Sequence, residues 1–226
     1  MRVSAIIVAA GNSRRMGFDK LAADLRGESV LTRSMLALAA CEEVAEIRMV
    51  TSPEKFEAVE EAATRLGIAQ FVEVIAGGAE RHLSVAAGLA RIGDDCDLVA
   101  VHDAARPLVS RAAITRCLAA AHQYGAATLA HRIADTLKRG DAAGEVVDAV
   151  SRDDLWAMET PQIFRVALLR EAYAEVLAKG EPVTDEVSAV RGIGHIVKLV
   201  ENSEPNLKIT VPGDLVVAAA IWGARE

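Results

Sequence analysis

Aromatic residues make up only 4% of this 226-residue chain, and cysteine occurs three times. With so few rings, the 52% hydrophobic fraction must build its core from Ala, Val, Leu and Ile, which suits an α/β protein. Cys41, Cys96 and Cys117 are widely spaced and odd in number. They match neither a disulfide framework nor a metal-ligand spacing, so buried thiols in a reducing cytosol are expected. No apolar run reaches transmembrane length and no charged leader precedes one, so a cytoplasmic, membrane-free protein is expected. Positive charge is also in deficit: the formal net charge is −7, which argues against nucleic acid or an anionic membrane as the main partner. Lysine is scarcest among the charged residues, six against nineteen arginines. No Ser or Cys lies in a nucleophile elbow of the G-x-S-x-G kind, so covalent catalysis has no support.

Against that background the stretch Ser4 to Lys20, SAIIVAAGNSRRMGFDK, stands out. Ala5 to Ala9 reads as a strand buried on both faces of a parallel sheet. The chain then breaks at Gly11 into a small-residue loop that carries Arg14, Arg15 and, further on, Lys20. A buried strand that delivers three cations after a glycine suits a polyanion, above all nucleotide phosphates; a solvated basic loop would read the same way. Two better-known phosphate loops are excluded. Phe18 and Asp19 follow Gly17 where a P-loop needs Lys and Ser or Thr, and Ser13 occupies the second glycine of the dinucleotide fingerprint.

The remainder alternates between strand-like and helix-like segments, which predicts one domain with a mostly parallel sheet covered by helices. Helices are expected over 30–41, from Pro53 to Gly67, over 81–92, from Ser110 to Gly125, over 166–179, from Thr184-Asp185-Glu186 and from Pro212. Strands are expected over 46–51, 71–76, 97–101, 126–130, 195–201 and 207–211. Residues 135–150 read as a long β-hairpin with a polar, glycine-containing centre. Such an arm needs support, most economically from a second protomer in an arm-exchanged dimer; a mobile surface hairpin is the alternative.

His102-Asp103-Ala104-Ala105-Arg106-Pro107 follows an apolar strand, where open parallel sheets place their ligands. Asp103 can there meet a magnesium ion that is also held by phosphate oxygens, and Arg106 can meet a second anion. Lys208, in a strand-like segment, either lies along an edge or aims at a reacting phosphate. Gly77-Gly78-Ala79-Glu80-Arg81, with Ser84, offers free backbone N–H groups at a strand-to-helix turn. Cations with one carboxylate fit phosphoryl or nucleotidyl transfer.

Taken together, AAGNSRRMG, GGAER with Ser84, HDAARP, ADTLKR, Arg152 with Leu155-Trp156, TPQ with Phe164, TDE and NLKIT resemble the 2-C-methyl-D-erythritol 4-phosphate cytidylyltransferases of the non-mevalonate isoprenoid pathway, in order and spacing over nearly the whole chain. The resemblance implies a Rossmann-like nucleotidyltransferase sheet with a protruding arm, and a reaction joining CTP to a polyol phosphate with Mg²⁺. It implies that Ala9, Ala10, Gly11, Gly78 and Ser84 bind the nucleotide, and that Arg15, Lys20 and Lys208 act on the triphosphate. Asp103 would carry magnesium. Arg106, Thr136, Arg152 and Thr184 would bind the polyol phosphate, Thr136 and Arg152 arriving on the partner's arm. The chain departs from the pattern at Asp19-Lys20-Leu21, which ends a shortened loop, at Ala79 and at Arg132. A sister enzyme using ribitol 5-phosphate would share almost every motif, differing around Thr136, Arg152 and Thr184. A molybdenum-cofactor guanylyltransferase would share only the opening loop. A non-catalytic nucleotide-binding regulatory protein would have little need for Lys20, Asp103 and Lys208 together.

Overall fold

The computed structural model describes residues 1–11 and 17–225. The opening strand β1 (Val3–Val8) lies inside a seven-stranded sheet. It pairs in parallel with β4 (Val44–Thr51), which in turn pairs with β5 (Phe71–Ala76). The chain then returns to the other side of β1 as β6 (Leu98–Asp103). Beyond β6 lie β10 (Trp156–Arg165), β7 (Ala126–Arg132) and, at the edge, β11 (Lys198–Glu201). Of these seven strands only β10 runs antiparallel to its neighbours. Between β1 and β4 on the chain, β2 (Asp24–Leu25) and β3 (Glu28–Ser29) form a small separate ladder. Because the chain leaves β1 to one side and resumes on the other, the crevice beyond the carboxyl ends of β1 and β6 is a topological switch point.

Strand alternation explains the two-sided core. Ala5 and Ile7 of β1 face one hydrophobic layer while Ile6 faces the other, and in β6 Leu98 and Ala100 oppose Val99 and Val101 in the same way. The first layer is covered by α1 (Val30–Ala39), α2 (Phe56–Arg65), α4 (Arg111–Tyr124) and α7 (Pro212–Gly223). The second is covered by α3 (Arg81–Leu89), α5 (Val166–Lys179) and α6 (Glu186–Gly192). Local signals set the ends. The Ser110 hydroxyl accepts from Ala113 N at 3.1 Å to cap α4, and Gly125 ends it at φ +86°, a conformation that costs glycine nothing. Among the described residues no helix is long and apolar enough to cross a membrane.

Two expectations are corrected, and one strand was not expected. Residues 207–211 form no strand: Ile209 N makes one bond to Ala105 O at 2.8 Å, while the N–H groups of Thr210 and Val211 go to the Asp214 carboxylate that opens α7. Strand β10 has no counterpart in the sequence pattern, since Glu159, Thr160, Pro161 and Gln162 interrupt any apolar alternation. Its proline falls within a register break between Met158 and Gln162, where the ladder needs no N–H. The segment after Ser52 starts as a 3₁₀ turn (Pro53–Lys55) before α2, and Ser52 makes no side-chain cap.

The hairpin forms as expected, from β8 (Leu137–Gly140) and β9 (Val146–Val150), which among the described residues pair only with each other. Val146 and Val147 are 70% and 62% exposed.

At the opposite end of the sheet from the crevice, Glu46 lies between Arg2 and Arg48. Burial would raise its pKa, but hydrogen bonds from Arg2 and Arg48 outweigh that and bring it down to about 2. A carboxylate with a depressed folded pKa stabilises the fold above its unfolded value near 4.5, and that contribution is lost as the pH falls towards 2. Unfolding free energies from urea titrations across this window should therefore fall less steeply in Glu46→Gln than in the parent, by about 2 kcal/mol over the whole limb. Parallel curves would remove Glu46 from the acid transition.

Candidate active site at the sheet switch point

The register of β1 on β6 places Val8 opposite Asp103, so both strands deliver their last residues to the same crevice. Ala9 N bonds Val50 O at 2.7 Å and Ala104 N bonds Val8 O at 3.1 Å, fixing the start of the first loop between β4 and β6. The Gly77-Gly78 turn reaches the same place: a Cβ on Gly77 would stand 2.4 Å from the Cβ of Ala10. That approach requires glycine. Ala10, the Gly77-Gly78 turn and Ser84 are thus neighbours, with Ala9 and Gly11 flanking Ala10 on the chain. The Ser84 hydroxyl is buried and closes the turn, accepting from Gly78 N at 3.1 Å. Arg14 and Arg15 lie outside the described residues.

Asp103 is the last residue of β6 rather than the second residue of a loop. Its carboxylate receives Lys208 Nζ at 2.6 Å on Oδ2 and Arg81 Nε at 3.1 Å on Oδ1. Burial favours the neutral acid, but the Arg81 and Lys208 cations overcome it and hold the carboxyl far below the ordinary range. The backbone N–H of Asp103 is bonded to Thr160 Oγ1 at 3.0 Å, and the same hydroxyl meets His102 Nδ1 at 3.0 Å. His102 is fully buried, which lowers its pKa to about 4 and keeps it neutral.

Lys208 reaches Asp103 because the preceding segment is stapled to β10. Asn206 Nδ2 donates to Thr160 O at 3.0 Å and to Glu159 Oε2 at 2.8 Å, and Asn202 Nδ2 donates to the same Glu159 oxygen at 2.9 Å. The other Glu159 oxygen meets His131 Nδ1 at 2.7 Å. Lys20 Nζ donates to Ile209 O at 2.8 Å, so both lysines gather on one segment although 188 positions separate them in the chain (208 − 20). Arg106 donates to Asn206 O at 2.7 Å and Met158 O at 3.1 Å, while its buried Nε finds no acceptor among the described residues.

Thr136 and Arg152 are exposed on the arm, and Arg152 donates to Ala134 O at its base. Thr184 lies beside Asp185, whose carboxylate caps α6 by accepting from Ser188 N at 2.9 Å. Residues to which the sequence pattern assigns no role complete the cluster: Arg81, Glu186, Tyr173, Thr160 and Glu159. Most stand within or beside a motif, which was the available signal. Their buried partners come from distant segments, which was not.

One carboxylate faces the crevice between cations, and among the described residues no three His, Cys, Asp or Glu side chains gather around a metal. That donor set does not suit an all-protein metal cage. It does suit a hard divalent ion held by a single aspartate and completed by phosphate oxygens and water.

The family model described as "IspD: 2-C-methyl-D-erythritol 4-phosphate cytidylyltransferase" matches residues 3–224. The chain is 40% identical to the 2-C-methyl-D-erythritol 4-phosphate cytidylyltransferase of Caldanaerobacter subterraneus over 221 residues, covering 96% of this chain and 97% of the relative. It is 38% identical to that of Thermosynechococcus vestitus over 98% of this chain and 95% of the relative. Among solved structures, the enzyme of the same name from Thermus thermophilus superposes with a TM-score of 0.81 at 35% identity, with 100% of each chain covered. The 4-diphosphocytidyl-2C-methyl-D-erythritol synthase of Anaerococcus prevotii gives 0.85 at 26% identity, with 98% of each chain covered.

Proposed function

The chain belongs to the 2-C-methyl-D-erythritol 4-phosphate cytidylyltransferase family and is a nucleotidyltransferase, and from that premise we propose how its residues divide the reaction of CTP with 2-C-methyl-D-erythritol 4-phosphate. The observation that carries the reading is Asp103 at the carboxyl end of β6, ion-paired to Lys208 at 2.6 Å beside the Ala9–Gly11 loop.

The cytidine lies against Ala9, Ala10, Gly11, Gly78 and Ser84, where backbone groups at a strand end can approach a flat ligand closely. Its triphosphate turns towards Arg15, Lys20 and Lys208. An oxygen of the methylerythritol phosphate attacks the α-phosphorus in line. The new P–O bond forms as the bond to the bridging oxygen of the β-phosphate breaks, and pyrophosphate leaves with the electron pair. No enzyme-bound intermediate is needed, consistent with the absence of a nucleophile elbow. Charge accumulates on the oxygens around the α-phosphorus, and the lysine ammonium groups stabilise it electrostatically. Asp103 would hold magnesium together with the triphosphate, the ion supplying charge neutralisation on the leaving group.

Lys208 must exchange its carboxylate partner for phosphate during this cycle. Its side chain is 40% exposed, which leaves it free to turn towards the crevice. Arg106, its guanidinium held by Asn206 O and Met158 O, is assigned to the substrate phosphate. Thr136 and Arg152 come from the partner's arm in a homodimer, and Thr184 lines the same side. A cytoplasmic setting agrees with three buried free thiols.

Pyrophosphate release is the test, with methylerythritol phosphate offered beside ribitol 5-phosphate and CTP beside GTP, in the presence of magnesium. The expected result is release with CTP and methylerythritol phosphate only. A preference for ribitol phosphate would overturn the substrate assignment and leave the nucleotide side intact.

A further inference from the structure

We propose that Arg81 and Glu186 form a positioning pair that fixes the orientation of Asp103 and leaves one of its oxygens available to the reaction. The inference rests on the nucleotidyl-transfer reading above, but concerns residues which that reading does not use.

The geometry is specific. Arg81 Nη1 and Nη2 donate to Glu186 Oε1 and Oε2 at 2.6 and 3.0 Å, a two-pronged pairing that fixes the guanidinium plane. With the plane fixed, Nε and Nη2 both stand 3.1 Å from Asp103 Oδ1. Oδ2 is left to Lys208 and, through the open side of the crevice, to ligand. Glu186 is itself held from several sides. It is fully buried, Tyr173 Oη donates to its Oε1 at 2.9 Å, and its backbone N–H donates to Gln162 Oε1 at 3.1 Å. Gln162 also accepts from Val187 N and donates to Asp185, so α6 is docked on β10 as a unit.

Charge accounts for why the pair is needed. Asp103 lies among Arg81, Lys208 and Arg106, three cations for one carboxylate. A guanidinium bound to Asp103 alone would saturate it. With Glu186 supplying the second negative charge, Arg81 is neutralised by its own partner and can orient Asp103 without consuming it. The burial of Glu186 at zero exposure also requires a partner of this kind, since an unpaired buried carboxylate is strongly unfavourable. The TDE and GGAER segments, 105 residues apart at these two side chains (186 − 81), thus meet at Asp103.

Two conservative variants test it. Arg81→Lys keeps the charge but cannot hold two carboxylates in one plane, and Glu186→Gln keeps the shape but removes the neutralising charge. Each is expected to lower kcat by about 10- to 100-fold with the KM for methylerythritol phosphate little changed. Binding of Mn²⁺ to the enzyme in the presence of CTP, followed by electron paramagnetic resonance, should weaken about tenfold in Glu186→Gln. Both variants should retain the parental far-ultraviolet circular dichroism. Tyr173→Phe, which removes one hydrogen bond to Glu186, should fall between parent and Glu186→Gln. Unchanged kcat and unchanged Mn²⁺ binding in the folded variants would overturn the proposal, as would a loss of activity that merely tracks the folded fraction. A parent enzyme that prefers another polyol phosphate would refute the substrate reading while leaving this comparison intact.

Discussion

Asp103→Asn is expected to lower kcat by about 10³-fold while the protein stays folded. The substitution preserves shape and leaves Thr160 Oγ1 bonded to the backbone N–H of residue 103, so β6 and β10 keep their contact. What disappears is one negative charge at the point where three cations converge. Arg81 keeps its two bonds to Glu186, and the half-exposed Lys208 can turn to water. The stability cost is therefore about 1–3 kcal/mol, that of charge-assisted hydrogen bonds rather than of an abandoned buried ion. Catalysis has no comparable substitute, since among the described residues no cluster of three ligating side chains offers a divalent ion another seat. Steady-state pyrophosphate release together with urea unfolding checks both halves. Turnover within tenfold of the parent would remove Asp103 from the reaction; a collapse of the fold would make it a structural residue first.

The site was legible in the sequence as separate motifs and illegible as a network. Apolar runs and caps placed β1, α4 and α5 well, because each is determined by its own residues: a run buried on both faces, a serine with a glycine stop, an amphipathic stretch. Strand β10 escaped because its middle is polar and contains Pro161. Those polar groups are tolerated only because Asn202, Asn206, His131 and α6 arrive to bond them. Residues 207–211 failed in the opposite sense, with strand-like composition but their N–H groups claimed by Asp214 and Ala105. Local composition carries no record of such partners. The same reason hid Glu186: a glutamate at the first turn of a helix reads as an end effect, whereas here it is fully buried against Arg81. Several motif residues also hold the fold of the site together. Ser84 closes a turn, Thr160 supports Asp103, and Gln162 docks α6.

Mixing two inactive variants is expected to restore activity. In a dimer with exchanged arms, each site combines the crevice of one protomer with Thr136 and Arg152 of the other. Asp103→Asn spoils the crevice and spares the arm; Arg152→Ala does the reverse and should itself cost about 10²-fold through loss of a charge-assisted contact to phosphate. When the two are refolded together in equal amounts, half of the dimers are mixed and each mixed dimer has one intact site of two. Activity should then rise from near zero to about one quarter of the parent. The physical basis is the isolation of the arm: among the described residues β8 and β9 pair only with each other, and Val146 and Val147 remain mostly exposed. A two-stranded hairpin is marginal in water without a surface to cover its apolar side chains, and in the proposed dimer a second protomer would supply both that support and a site to complete. If the arm instead served the crevice of its own chain, mixing would recover nothing, because every protomer would carry one lesion in its only site. Recovery without any dimer in sedimentation would be equally fatal to the exchanged-arm arrangement. Only an activity near one quarter that disappears on dilution below the dimer's dissociation range agrees with a site built from two chains.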